Sequence, residues 1–318
     1  MPAPNTLGNS GIFPVTDSAI LAASDLLRAG AIVAVPTETV YGLAADASNA
    51  DAVAAIYRTK GRPDFNPLIV HVPDMAAAQS LAQFDDRAKA LASAFWPGPL
   101  TLVLPLAQQA NVAAAVTAGL PTIALRCPAH AAMQQLLRVS GLCLAAPSAN
   151  RSGGISPTRA AHVAASLGGA APMILDGGPC SAGLESTIIA LRPSGWQMLR
   201  QGPVTEMEAQ RILGCPSMPV TSAKIEAPGQ LAGHYAPNKP LRLNAETAQA
   251  GEWHIGFGAI EGDDNLSAPG DLAQAAARLF DALHIADASS SERIAVAPIP
   301  QSGIGAAIHD RLKRAASS

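Results

Sequence analysis

Residues 32–72, IVAVPTETVYGLAADASNADAVAAIYRTKGRPDFNPLIVHV, constrain the fold more than any other stretch of this chain. An apolar run, Ile32-Val33-Ala34-Val35, stops at Pro36 as a buried strand does. Thr37, Glu38, Thr39 and Tyr41 crowd the end of that strand, and Gly42 is placed to turn the chain. Residues 51–57 read as a short helix capped by Asn49 or Asp51. Lys60-Gly61-Arg62 follows, and Leu68-Ile69-Val70 forms a second strand that delivers His71. Two cations around a glycine, beside hydroxyls at a strand end, suit phosphate groups, because the glycine lets a ligand approach the backbone.

Around this block, residues 17–28, 75–81, 86–95, 112–116, 129–139 and 159–167 read as helices, with Gly30 ending the first and Pro97-Gly98-Pro99 stopping the third. Strands are expected over 100–106, 122–126, 142–146, 173–175, 186–191 and 196–200. Helices and strands mingle without strict alternation, which predicts a twisted mixed α/β sheet with helices on it rather than a regular doubly wound one. Residues 1–16 read as a loose leader. Proline at 216, 219, 228, 237 and 240 marks a long connection, and such connections tend to be functional. Beyond it, 241–243, 253–257, 271–285, 294–297 and 304–315 read as strand, strand, helix, strand, helix, a small second α/β domain. The expected divisions are therefore 13–204, a linker or lid over 205–240, and 241–318.

Hydrophobic residues make up 49% of the chain and charged ones 14%, ample for a core and contrary to disorder. A net charge of −3 gives no bulk support for nucleic-acid binding. Residues 17–203 hold twelve Lys/Arg against eleven Asp/Glu, and ten of those twelve cations are Arg, which favours bidentate contact with a small anion. Cys127, Cys143, Cys180 and Cys215 have no paired spacing, so reduced thiols are expected rather than a zinc or disulfide framework. No signal peptide or run of eighteen apolar residues is visible, and the expectation is a cytoplasmic protein with no membrane contact.

Several side chains stand out individually. Arg126 ends the strand TIALR, and an arginine at a strand end is a natural carboxylate clamp. Ser148 and Asn150 follow a buried strand, but GxSxG is missing, so an anion-binding turn is preferred to a hydrolase nucleophile. Gly256-Phe257-Gly258 is half a dinucleotide fingerprint with the third glycine misplaced, and reads as a turn. The seven histidines lie singly, at no metal-ligand spacing. GxxxxGK is absent.

PTETVYGLAADA followed by KGRPDFNPLIVHV, the SAN of residues 148–150, the EST of residues 185–187 and the late HYAP of residues 234–237 resemble the Sua5/YrdC family, the threonylcarbamoyl-AMP synthases of tRNA modification, in its two-domain form. The resemblance implies a YrdC-like sheet with a concave cleft, plus a Rossmann-like C-terminal domain. It implies a nucleotidyltransferase that joins L-threonine, bicarbonate and ATP, with Mg2+ on the phosphates, in the first step of threonylcarbamoyladenosine formation on ANN-decoding tRNAs. Carried over, Lys60 and Arg62 are catalytic. Thr39, His71, Arg126 and Ser186 contact threonine, while Arg62, Asn66, Thr122, Ser148, Asn150, Ser156, Arg200 and Tyr235 contact ATP. No protein metal ligand is implied. A downstream tRNA-modifying threonylcarbamoyl transferase complex is the expected partner, with weak tRNA binding besides. The competing reading is an RNA-binding or ribosome-associated module that grips phosphates without turnover, and the lack of basic surplus weighs against it.

Overall fold

The structure is a computed structural model and describes residues 11–63, 65–220, 226–228 and 234–317. Two sheets organise the described residues. The larger contains β1 (Gly11–Pro14), β2 (Val33–Val35), β3 (Gly42–Asp46), β4 (Ile69–His71), β5 (Leu100–Pro105), β6 (Thr122–Arg126), β7 (Leu144–Ala145), β8 (Met173–Asp176), β9 (Thr187–Arg192) and β10 (Gly195–Arg200). Their spatial order is β1-β8-β2-β3-β7-β4-β6-β5-β9-β10. Parallel pairs such as β4/β6 alternate with antiparallel pairs such as β4/β7 and β5/β6, so the sheet is mixed, as expected.

Strand periodicity sorts side chains to two apolar layers. Ala34, Leu43 and Ala45 face a core that also holds Ile56, Val70 and Leu125. Val33, Val35 and Ala44 face another, built with Ile20 and Leu27 of the Asp17–Arg28 helix and Leu136 and Leu137 of the Ala131–Ser140 helix. Both faces of the sheet are thus covered.

The smaller sheet is parallel, with β11 (Leu241–Arg242), β12 (Glu252–Gly256), β13 (Asp264–Asn265) and β14 (Arg293–Val296) in the order β11-β14-β12-β13. The Leu272–Ala288 and Gly305–Ala316 helices pack on it through Phe280, Leu283, Ile308 and Leu312. Val40, Ile155 and Leu184 of the first unit belong to the same apolar cluster, so one hydrophobic layer joins the two.

Three sequence expectations change. Residues 11–14, read as leader, pair with β8 as an edge strand, while residues 1–10 of that reading lie outside the described residues. Gly42 opens a buried strand rather than a turn. Glu206–Leu213, within the presumed linker, is a helix whose capping box joins Thr205 and Glu208. The parts of the linker at 221–225 and 229–233 lie outside the described residues. Gly258 has φ of 61°, and a Phe257–Ile260 bridge closes the turn expected there. Among the described residues, no helix is long and apolar enough to cross a membrane.

Candidate functional site

A single cleft gathers Thr37, Thr39, Arg62, His71, Arg126, Ser148, Glu185, Ser186, Arg200, His234 and Tyr235. Strand register explains part of it. Parallel pairing of β4 with β6 sets His71 opposite Arg126, and both are strand-terminal and buried. Arg126 Nη1 donates to Thr39 Oγ1 at 2.8 Å, and its Nε donates to the Gly98 carbonyl at 3.2 Å. Its Nη2 lies 2.7 Å from Glu38 Oε1 as an ion pair, off hydrogen-bond alignment.

On the neighbouring strands, Ser186 Oγ shares a 2.7 Å hydrogen bond with Thr101 Oγ1. Arg200 donates to both the carbonyl and the hydroxyl of Ser186, at 3.0 and 3.1 Å. Its Nη1 donates to the Pro228 carbonyl at 3.4 Å. Arg126 and Arg200 both line the cleft, Arg126 bonded to the Thr39 hydroxyl and Arg200 to that of Ser186, which in turn shares its hydrogen bond with Thr101.

A helix terminus supplies further groups. Asn49 caps the Ala50–Lys60 helix by accepting from the backbone of Asp51 and Ala52, which settles the choice of cap. Gly61 ends it in the left-handed conformation with φ of 60°, a turn glycine makes without strain, and Lys60 and Arg62 flank that turn as buried cations. Lys60 Nζ donates to the carbonyls of Ser148 and Asn150, both at 2.5 Å. Arg62 Nη2 donates to the Pro67 carbonyl at 3.0 Å, and its Nε donates to the Asn66 carbonyl at 3.4 Å.

Electrostatics follow from burial. It pulls Lys60 well below the lysine range, with Arg62 adding to the effect, and it lowers Arg62 to about 10, so that the guanidinium stays charged at neutral pH. Burial, with Arg126 nearby, holds His71 down at about 3, a neutral imidazole whose Nδ1 has no partner among the described residues. Burial raises the Glu38 carboxyl, but Arg126 outweighs that and keeps it below its ordinary value. Asn66 Oδ1, Asn150 Oδ1, His234 Nδ1 and the Tyr235 hydroxyl are also buried without a partner among the described residues. Of these atoms, those of His71, His234 and Tyr235 belong to residues that line the cleft, where a bound polar ligand would satisfy them.

Of the residues singled out in the sequence, Thr39, Arg62, His71, Arg126, Ser148, Ser186, Arg200 and Tyr235 line the cleft. Lys60, Asn66, Asn150, Ser156 and Thr122 are not in its lining. Lys60 braces the turn that carries Ser148 by donating to the carbonyls of Ser148 and Asn150. Ser156 is buried and donates to Glu185 Oε1 at 2.5 Å. Thr122 opens β6 at the end remote from Arg126. Arg200, read as a nucleotide contact, is bonded to Ser186, read as a threonine contact.

Glu38, Glu185, His234 and Arg311 carry structure around the cleft that was not assigned from the sequence. Arg311 had a signal. It lies with Ile308, Leu312 and Ala315 on the buried stripe of its helix, where an unpaired charge would be costly.

Comparison with known proteins places the chain among relatives. Residues 25–202 match the Sua5/YciO/YrdC family model, described as "Telomere recombination", and residues 199–317 match "Threonylcarbamoyl-AMP synthase, C-terminal domain". A threonylcarbamoyl-AMP synthase of Bacillus subtilis is 40% identical, the alignment covering 94% of this chain and 93% of the relative. One of Pyrococcus abyssi is 37% identical, covering 92% of each. The crystal structure of P. abyssi Sua5 complexed with L-threonine superposes with a TM-score of 0.87 at 34% identity, covering 96% of this chain and 98% of that one.

Proposed function

The chain belongs to the Sua5/YciO/YrdC family and carries the synthase C-terminal domain, and from this we infer that it makes threonylcarbamoyl-AMP from L-threonine, bicarbonate or CO2, and ATP. It is an enzyme of the first step of threonylcarbamoyladenosine formation on tRNA. Its class is nucleotidyl transfer: the threonine amine adds to CO2 and loses a proton, the resulting carbamate oxygen attacks the α-phosphorus, and the bond to the leaving pyrophosphate breaks.

The observation that carries this reading is the convergence of Arg62, Arg126 and Arg200 on one cleft with the hydroxyls of Thr39, Ser148 and Ser186. A carbamate and a triphosphate repel each other, and their approach needs fixed cations at both ends. Arg126, with Thr39, suits the threonine carboxylate, and Arg62, in the same cleft as the Ser148 turn that Lys60 braces, suits phosphates. Alignment and charge stabilisation do the work, without an enzyme nucleophile.

Mg2+ belongs to the proposal as the counterion of ATP. The carboxylate among the described lining residues, Glu185, is already engaged by Arg311 and Ser156, so the donor set suits an ion that arrives on phosphate oxygens. His234 and Tyr235 are buried and line the cleft, which supports a role for them in excluding water from a labile adenylate. A second enzyme then transfers the threonylcarbamoyl group to tRNA, with any tRNA contact by this chain weak. The four cysteines are free thiols, which suits a cytoplasmic setting.

The test is pyrophosphate release with mass detection of the adenylate. Release should require ATP, threonine and bicarbonate together. Turnover with another amine in place of threonine, or RNA retention without any turnover, would overturn the reading.

A further inference from the structure

The second domain inserts one charge into the wall of the cleft. Arg311, on the Gly305–Ala316 helix, is 0% exposed. Its Nε donates to Glu185 Oε2 at 2.8 Å, and its Nη1 pairs with Asp310 at the same distance. Its guanidinium carbon lies 5.3 Å from the centroid of the Tyr235 ring. Glu185 lines the cleft directly before Ser186, and its other oxygen accepts from Ser156.

This domain also grips the two loops that carry those serines. His284 Nε2 lies 3.1 Å from the Ser156 carbonyl. A Cβ on Gly183 would come within 2.4 Å of the Ala277 backbone. The contacts converge on one point: a carboxylate that faces an anion-binding cleft and is balanced from outside the catalytic sheet.

We propose that Arg311 is a positioning residue for the nucleotide half of the reaction, neutralising Glu185 so that its carboxylate does not repel the triphosphate and can orient Ser156. The second domain thus completes the charge balance of the cleft rather than merely capping it. The inference rests on the nucleotide reading given above.

Without Arg311 the buried Glu185 carboxylate would keep Arg200 as its nearby cation, and the charge left unbalanced would act where repulsion is weakly screened. It would bear on the ligand with the most negative charge, ATP, more than on zwitterionic threonine. Removing only the cation should therefore damage ATP use selectively, and removing both charges should repair it. A residue that only held the domains together would show neither selectivity nor repair.

The experiment measures steady-state pyrophosphate release on the full chain with ATP and threonine varied separately. Arg311→Met is expected to raise KM for ATP about tenfold or more, while KM for threonine stays within about twofold. Arg311→Lys should keep most of the wild-type value. The neutral pair Arg311→Met with Glu185→Gln should return KM for ATP to within about threefold of wild type, and it tests the idea even if Arg311→Met alone does not fold. Equal rises in both KM values, or a neutral pair as defective as the single variant, overturns the proposal. Wild-type enzyme that releases no pyrophosphate with all three substrates would instead sink the functional reading, so the two failures are distinct.

Discussion

Lys60 donates through Nζ to the Ser148 carbonyl at 2.5 Å, tying a helix terminus to the turn after β7. The same ammonium reaches the Asn150 carbonyl, so one buried cation fixes the backbone that presents Ser148 to the cleft. Lys60→Met keeps most of the volume but removes the donor from two carbonyls. It should destabilise the fold by about 1–3 kcal/mol and lower kcat/KM by about 100-fold, since phosphate-facing groups would lose alignment. Denaturant titration and pyrophosphate assay check the two effects, and an unaltered kcat/KM would contradict the bracing role.

Arg126 and Arg62 should separate by substrate. Arg126→Ala is expected to raise KM for threonine about 10–100-fold, and Arg62→Ala to do the same for ATP, each with a smaller effect on the other substrate. Arg126→Ala also strands Glu38, whose carboxylate is paired with it in a buried site. Adding Glu38→Gln should restore thermal stability without restoring threonine use. Small, equal effects of the two single variants would contradict the division of the cleft.

Much of this architecture is visible in the chain itself. The helices Asp17–Arg28, Met75–Leu81 and Asp86–Phe95 carry clear periodicity and caps, the strand Thr122–Arg126 is a short apolar run, and the bounds of all four match the sequence expectation. Gly42–Asp46 is less legible, because GLAAD holds no β-branched or aromatic residue and its strand character comes from pairing with β2 and β7. The helix at Glu206–Leu213 had a readable T-x-x-E cap, but nearby prolines made the region look like connection. In the site, residues at strand ends were legible because a strand end is a local feature. The Arg311–Glu185 pair spans 126 positions, and only the docking of the two domains brings it together.

Acid should weaken the fold before any carboxylate titrates. His71 and His234 are held near 3 by burial, with Arg126 acting on the first, and Lys60, Arg62 and Arg200 on the second against the opposing pull of Glu185. A histidine depressed in the folded state contributes stability that is complete above its unfolded value and is lost as pH falls toward the folded one. The window for both therefore opens near pH 6.5 and extends to about 3, above and across that of Glu38 and Glu185. Between pH 7.5 and 5.5, each histidine should cost roughly 1.4 kcal/mol of unfolding free energy. Urea titrations at the two pH values measure this loss together with that of His162, which burial lowers to about 4, and of His130 and His284, which burial also lowers. The part due to His71 is read from how far His71→Asn flattens the slope. Equal stability at both would show that these rings are not held neutral.

Gly183 offers a way to loosen the domains without touching a charge. It adopts φ of 66°, and a Cβ there would meet the Ala277 Cα and carbonyl oxygen at 2.4 Å and the Ala276 carbonyl oxygen at 2.6 Å. Those atoms belong to the Leu272–Ala288 helix backbone, which cannot rotate aside as a side-chain tip can. Gly183→Ala should therefore combine left-handed strain with a steric wedge, costing about 2 kcal/mol or more, most of it at the interface. The expected signature is a thermal transition that splits in two, with faster proteolysis between the domains, while the first domain keeps its cooperative unfolding. Because Leu184, Glu185 and Ser186 follow directly, KM for ATP should rise as well. A single transition with an unmoved midpoint would mean that the helix yields, and that the close approach at Gly183 contributes little to docking.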